Sequence, residues 1–153
     1  MDIKDQWQVC SLELSKRLKE LGYPQKSLWY WVNDGKALNE GKDRWILVYK
    51  YWTNYKSLSR PDKVSAPSVA EIGMALPNNL KDKNGKFLWL TSAMRSDRIW
   101  FIWYDNTLKK DIVNGIFYYR QTADTEAEAR GLMWEYLKKN GLIKEKNEKT
   151  ERE

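Results

Sequence analysis

Hydrophobic positions recur along the chain with two periods, and the longest unbroken run of them sits near the middle. Arg98-Ile-Trp-Phe-Ile-Trp-Tyr104 holds six consecutive β-branched or aromatic residues, the types that fit a pleated surface. Alternate side chains of a strand point to opposite faces. Ile99, Phe101 and Trp103 therefore share one face, and Trp100, Ile102 and Tyr104 the other. Neither face is polar, so the run predicts a central strand covered on both sides. The cover can be helices, a ligand or a second copy of the chain, and a homo-oligomer is one way to supply it.

The helical period appears three times. Leu14, Leu18 and Leu21 stand at i, i+4 and i+7 and predict a helix from Ser11 to Leu21, with Gly22 past its end and Pro24 beyond. Ser68-Val-Ala-Glu71 has capping-box spacing. Val69, Ile72 and Leu76 give the short helix that follows one apolar face, and Pro77 stops it. Thr125-x-x-Glu128 is a second capping box. After it, Ala129, Leu132, Met133, Tyr136 and Leu137 form a buried stripe that ends at Asn140–Gly141. Acidic residues at its start and Lys138 and Lys139 at its end complement the helix dipole. Trp134 falls off the stripe, either half exposed or packed on a loop.

The strand period predicts Ser27–Val32, with Trp29 and Trp31 on one face, then a turn at Asn33-Asp34-Gly35. Trp45–Tyr51 pairs with it as a long-looped hairpin. Tyr55–Val64 reads as a loop and Asn78–Lys86 as a polar connection with a tight turn at Asn84–Gly85. Phe87–Thr91, the central run and Gly115–Tyr119 make three further strands, turned at Ser92–Asp97 and Asp105–Asp111. The sum is an α+β domain: a mostly antiparallel sheet of about five strands, packed by an N-terminal helix, a short central helix and a C-terminal helix. It spans residues 1–143, and residues 144–153 form a charged tail expected to be disordered.

Composition changes this picture in two ways. Trp and Tyr number nine each against three Phe. Both carry a polar atom that wants a partner when buried, and both favour wet interfaces. Lysine and arginine exceed aspartate and glutamate by 27 − 21 = 6. The tail holds four of each sign, so the excess lies in residues 1–143. A modest positive field of this kind attracts anions. With Cys10 the single cysteine, no internal disulfide can form. No apolar leader or membrane-length run is present, so a cytoplasmic protein with no membrane partner is expected.

Histidine is absent, which removes Ser-His and Cys-His nucleophile pairs and leaves almost no way to build a zinc site. No phosphate-binding glycine loop and no dinucleotide pattern occur. Asp97, Asp105 and Asp111 lie near strand ends, where three acids can converge on magnesium or simply serve as turn residues. No cofactor is indicated, and binding is the reading that remains. Stacking needs an aromatic plane, and phosphate needs a nearby cation. Arg95 and Arg98 precede a strand carrying Trp100, Trp103 and Tyr104. Lys50 lies beside Tyr49 on a second aromatic strand, with Trp52 after it and with Trp29 and Trp31 on its expected partner. These eight residues, Lys50, Arg95, Arg98, Trp29, Trp31, Trp100, Trp103 and Tyr104, form the candidate ligand-binding set. Its ligand is an anionic small molecule such as a nucleotide, or a nucleic acid.

Three segments are Cys10-Ser-Leu-Glu-Leu-Ser-Lys-Arg-Leu-Lys-Glu-Leu-Gly22, Ala66-Pro-Ser-Val-Ala-Glu-Ile-Gly-Met-Ala-Leu-Pro77, and Asp124-Thr-Glu-Ala-Glu-Ala-Arg130 running on to Asn140-Gly-Leu-Ile143. Together, in this order, they resemble a family of short bacteriophage- and prophage-encoded proteins. All three are helices with their caps, so the resemblance implies a shared scaffold and carries over no site residue. It further implies an accessory role in a host cytoplasm, with a host defence protein, a signalling nucleotide or nucleic acid as the partner.

Overall fold

The computed structural model describes residues 8–36, 43–50, 62–105 and 119–143. Its three helices and two antiparallel sheets make an α+β fold. In chain order the elements are α1 (Leu12–Glu20), β1 (Trp29–Lys36), β2 (Asp43–Tyr49), β3 (Lys63–Ser65), α2 (Val69–Ala75), β4 (Asn79–Lys81), β5 (Phe87–Met94), β6 (Trp100–Asp105), β7 (Tyr119–Ala123) and α3 (Glu126–Lys139). One sheet has the order β2-β1-β3 and the other β4-β5-β6-β7. The single sheet of about five strands expected from the sequence is therefore two sheets, of three and four strands. No helix among the described residues is long and apolar enough to cross a membrane.

The helices end where their capping residues dictate. The Ser11 hydroxyl accepts from the Leu14 N–H and starts α1. At the other end Gly22 takes φ 85°, open to glycine at little cost. The Tyr23 N–H then donates to the Leu18 carbonyl and the Gly22 N–H to that of Lys19, a Schellman closure. The same pair of bonds recurs after α3, from Leu142 to Leu137 and from Gly141 to Lys138. The α2 capping box is complete. The α3 box is only half made: the Thr125 hydroxyl accepts from the Glu128 N–H, but the Glu128 carboxylate takes the Ser11 N–H and hydroxyl instead, each at 2.9 Å. A residue read as a local cap thus joins two helices remote in sequence.

The main core lies between the three helices and one face of the four-stranded sheet. Leu14, Leu18, Ile72, Leu88, Ile102, Tyr104, Met133 and Leu137 are buried there. Each such side chain contributes about 1.5–3 kcal/mol on leaving water. Helices α1 and α3 touch closely at Gly131, where an added Cβ would stand 2.6 Å from Leu14 Cδ2 and 2.9 Å from Cys10 Sγ. Trp134 is buried and meets Tyr23 edge-to-face at 5.1 Å, so of its two expected surroundings it takes the loop. Burial pushes the Tyr23 phenol and the Cys10 thiol well above their ordinary pKa ranges, with Glu71 adding to the rise at both and Glu128 at Cys10.

Several strands differ from expectation for identifiable reasons. β1 runs through Asn33-Asp34-Gly35, which is no turn. The register steps from Asn33↔Trp45 to Lys36↔Asp43, so one extra residue is taken up as a bulge there. β3 and β4 have three residues each, too few to show a period, and they occupy stretches that read as loop. β5 continues to Met94, beyond the expected end at Thr91. β7 runs over Tyr119–Ala123. The expected strand at Gly115–Tyr119 up to its last residue, the turn after Asp105, Trp52, most of the loop from Tyr55 and the charged tail lie outside the described residues.

Candidate functional site

Cross-strand partners in an antiparallel sheet share a face, so the pairing sorts every side chain of the four-stranded sheet. One face carries Leu80 beside Leu88, then Leu90–Tyr104–Tyr119, Ser92–Ile102–Gln121 and Met94–Trp100–Ala123. Helix α3 lies over it: Ile102 and Tyr104 are fully buried against its residues, and the Arg130 guanidinium reaches the Ser92 hydroxyl. The opposite face carries Lys81–Phe87, Asn79–Trp89–Asp105, Thr91–Trp103–Arg120 and Ala93–Phe101–Thr122. No described helix or strand is stacked on that face. Among the described residues, the cover expected on both sides of the central strand is seen on one.

Four rings stand on the open face. Phe87 and Trp89 on β5 are 51% and 45% exposed, with ring centroids 6.4 Å apart. Phe101 and Trp103 on β6 are partly exposed. Because Phe87 and Trp89 occupy the first two rows and Trp103 and Phe101 the last two, the rings form a diagonal track. Rows two residues apart are separated by about 7 Å, so the track is roughly 20 Å long.

Cations stand at both ends. The Lys81 ammonium lies 5.1 Å from the Phe87 centroid. At the far end Phe101 is flanked by two guanidiniums, Arg120 at 4.8 Å and Arg95 at 5.2 Å. Arg95 also holds Asp97 in a two-toothed ion pair, and its hydrogen bond keeps the Asp97 carboxyl below the usual carboxylate range. The Asp105 carboxylate accepts from the Trp103 indole N–H, which fixes that ring against the sheet.

The β5–β6 hairpin explains why two arginines gather here. The Arg95 N–H donates to Ile99 and the Arg98 N–H to Arg95, closing a three-residue loop. Arg98 takes the left-handed position with φ 64°, where glycine or asparagine is the usual occupant.

The residues singled out from the sequence are only partly brought together. Arg95 and Trp103 belong to the open face, and Arg98 stands exposed in the adjoining turn. Trp100 and Tyr104 point to the helix side. Tyr104 is fully buried, its hydroxyl donates to the Pro77 carbonyl, and burial raises its pKa, so it presents no plane to a ligand. Trp29 and Trp31 belong to the three-stranded sheet, and Lys50 follows its strand β2. The Trp31 indole N–H donates to the Cys10 carbonyl, Trp29 packs on Tyr49 at 4.9 Å, and the Lys50 N–H donates to Leu28. Sequence reasoning missed Phe87, Trp89, Phe101, Lys81 and Arg120. The alternation Phe87-x-Trp89 was a usable signal, since it puts two rings on one face of a predicted strand.

Carboxylate chemistry finds no support from position. Asp97 precedes β6 and Asp105 is its last residue, each already bonded, and Asp111 lies outside the described residues. Among the described residues no three acids or cysteines gather in a way that could hold a metal ion. Comparison of the chain with protein-family models, with curated proteins and with solved structures returned no match.

Proposed function

We propose that the open face of the four-stranded sheet binds single-stranded nucleic acid, and that the protein acts by binding and not by catalysis. The diagonal track of Phe87, Trp89, Trp103 and Phe101 carries this reading. Bases stack on exposed rings whatever their identity, at about 1–3 kcal/mol per base. A track of roughly 20 Å spans three row spacings, more than one nucleotide covers. Lys81, Arg95 and Arg120 stand where a backbone running along the rings would place phosphates. The likeness to short phage-encoded proteins fits such an accessory role.

A second reading, capture of a single nucleotide-like anion, draws on one observation. Phe101 between two guanidiniums is a compact site for one base and one phosphate.

Titration of tryptophan fluorescence with oligothymidylate, oligouridylate, duplex DNA and mononucleotides separates the two. Single strands should quench the emission and outbind the duplex. With Lys81, Arg98 and Arg120 engaged and Arg95 already paired with Asp97, log K should fall against log salt with a slope of about −2. Mononucleotides that bind as tightly as the oligomers would favour the second reading. No quenching by any of them at low salt, with nucleotides at millimolar concentration, would remove both.

A further inference from the structure

A groove of about 1640 Å³ runs beside β4, at the edge of the four-stranded sheet. Small-molecule sites usually measure about 300–1,000 Å³, so this one is better matched to a length of chain. It wraps the sheet edge: Leu80 and Leu90 line it from the helix side, Lys81 and Phe87 from the open side. Its helical wall is formed by α2, with Met74 79% exposed, and by Arg130, Trp134 and Lys138 along α3.

Two further features define what fits there. The first is the strand edge. Leu90 donates to the Asn78 carbonyl and Asp82 to that of Lys86. The two-residue alternation of antiparallel bonding then turns Leu80 toward β5 and the backbone N–H and C=O groups of Asn79 and Lys81 away from it. Both of those residues line the groove. The second is charge. Among the described residues Lys26, Lys81, Arg130 and Lys138 line the groove, and no aspartate or glutamate does. Arg130 is paired with Glu126, so Lys26 and Lys81 carry the positive charge of the rim.

We infer that this groove takes an extended acidic segment of a partner protein, added antiparallel or parallel to β4 as a further strand. Backbone bonds to Asn79 and Lys81 supply register, alternate apolar side chains enter against Leu80 and Met74, and carboxylates meet the lysine rim. A second copy of this chain is the poorer occupant, because its net charge of +6 opposes a cationic groove. The inference shares Lys81 and Phe87 with the nucleic-acid reading but rests on the sheet's edge, and Trp89, which does not line the groove, separates the two.

The probe is a fluorescein-labelled peptide of about ten residues alternating glutamate with valine, beside one with lysine for glutamate and one N-methylated on alternate residues. The acidic peptide should bind, slow amide exchange at Asn79 and Lys81, and lose about tenfold in affinity with Lys26→Glu or with N-methylation. Lys26 is exposed, so that variant leaves the core intact. Trp89→Ala should leave peptide binding unchanged while weakening oligonucleotide binding, which keeps the two surfaces distinguishable. Equal binding of the lysine peptide, unchanged exchange at Asn79 and Lys81, or no binding at millimolar peptide would each overturn the inference.

Discussion

Trp100 and Trp103 share one strand, and their surroundings differ because one points under α3 and the other does not. The same contrast runs the length of β6. Ile102 and Tyr104 are sealed beneath the C-terminal helix, whereas Phe101 and Trp103 look out over arginines and partly exposed rings. Both faces are equally rich in the residues that make good cores. What separates them is the docking of a helix from later in the chain, held to α1 by Glu128 on Ser11 and by Glu135 on Arg17. An aromatic face is therefore a core or an exposed surface according to what lies on it.

The strongest way to test the contrast is to cut each face in turn. Ile102→Ala leaves a cavity under α3 and should cost about 2–5 kcal/mol of stability. Trp89→Ala removes a ring that already meets water, and should change stability by less than about 1 kcal/mol. On oligothymidylate the order should invert, with Trp89→Ala losing about tenfold in affinity or more. Urea unfolding and fluorescence titration of the two variants read both halves. Equal stability losses would mean that the ring-bearing face is covered in solution, and the division between the faces would fall.

A smaller effect tests what holds the cover in place. Glu135 is nearly buried, accepts Arg17 Nε at 3.0 Å and Nη2 at 3.2 Å, and accepts Lys139 at 2.7 Å. Burial alone would raise its pKa, but the bonds from Arg17 and Lys139 outweigh it and hold the carboxyl below its ordinary 4.5. A depressed carboxylate stabilises the fold above its unfolded value, and that stabilisation is lost as pH falls through the folded value. Glu135→Gln should cost about 1–2 kcal/mol at neutral pH, since the half-exposed Arg17 can rehydrate. The variant should also lose less stability than the parent between pH 4.5 and more acid conditions. Parallel pH curves for the two proteins would show that the clamp contributes nothing.

Much of this architecture was legible in local sequence. Ser11, Ser68 with Glu71, Thr125 and the glycines at 22 and 141 mark helix ends because capping involves only neighbours. The alternation in β6 placed Phe101 and Trp103 opposite Ile102 and Tyr104 for the same reason. What was not legible depends on remote partners. Nothing near Glu128 announces that its carboxylate serves Ser11, and nothing near Trp100 distinguishes it from Trp103. β3 and β4 carry too few residues for a period and exist because a neighbouring strand offers them bonds. The Asn33-Asp34-Gly35 stretch has turn chemistry, which a bulge uses equally well.

The smallest expected effect sits at the cationic end of the open face. Arg98 holds φ 64° in the hairpin turn. A left-handed conformation costs a residue with a Cβ about 1–2 kcal/mol, and glycine gives back about 0.5–1 kcal/mol in lost chain entropy. Arg98→Gly should therefore stabilise the protein by about 0.5 kcal/mol, the difference between those terms. On the proposed reading, the exposed Arg98 guanidinium adds its charge to the cationic end of that face. Removing that charge should weaken single-strand binding and reduce the salt slope by about 0.7. Thermal unfolding and an oligothymidylate titration across a salt series measure the two consequences on one sample. A gain in stability with an unchanged slope would end the track at Arg95 and Arg120 and leave Arg98 as a turn residue alone.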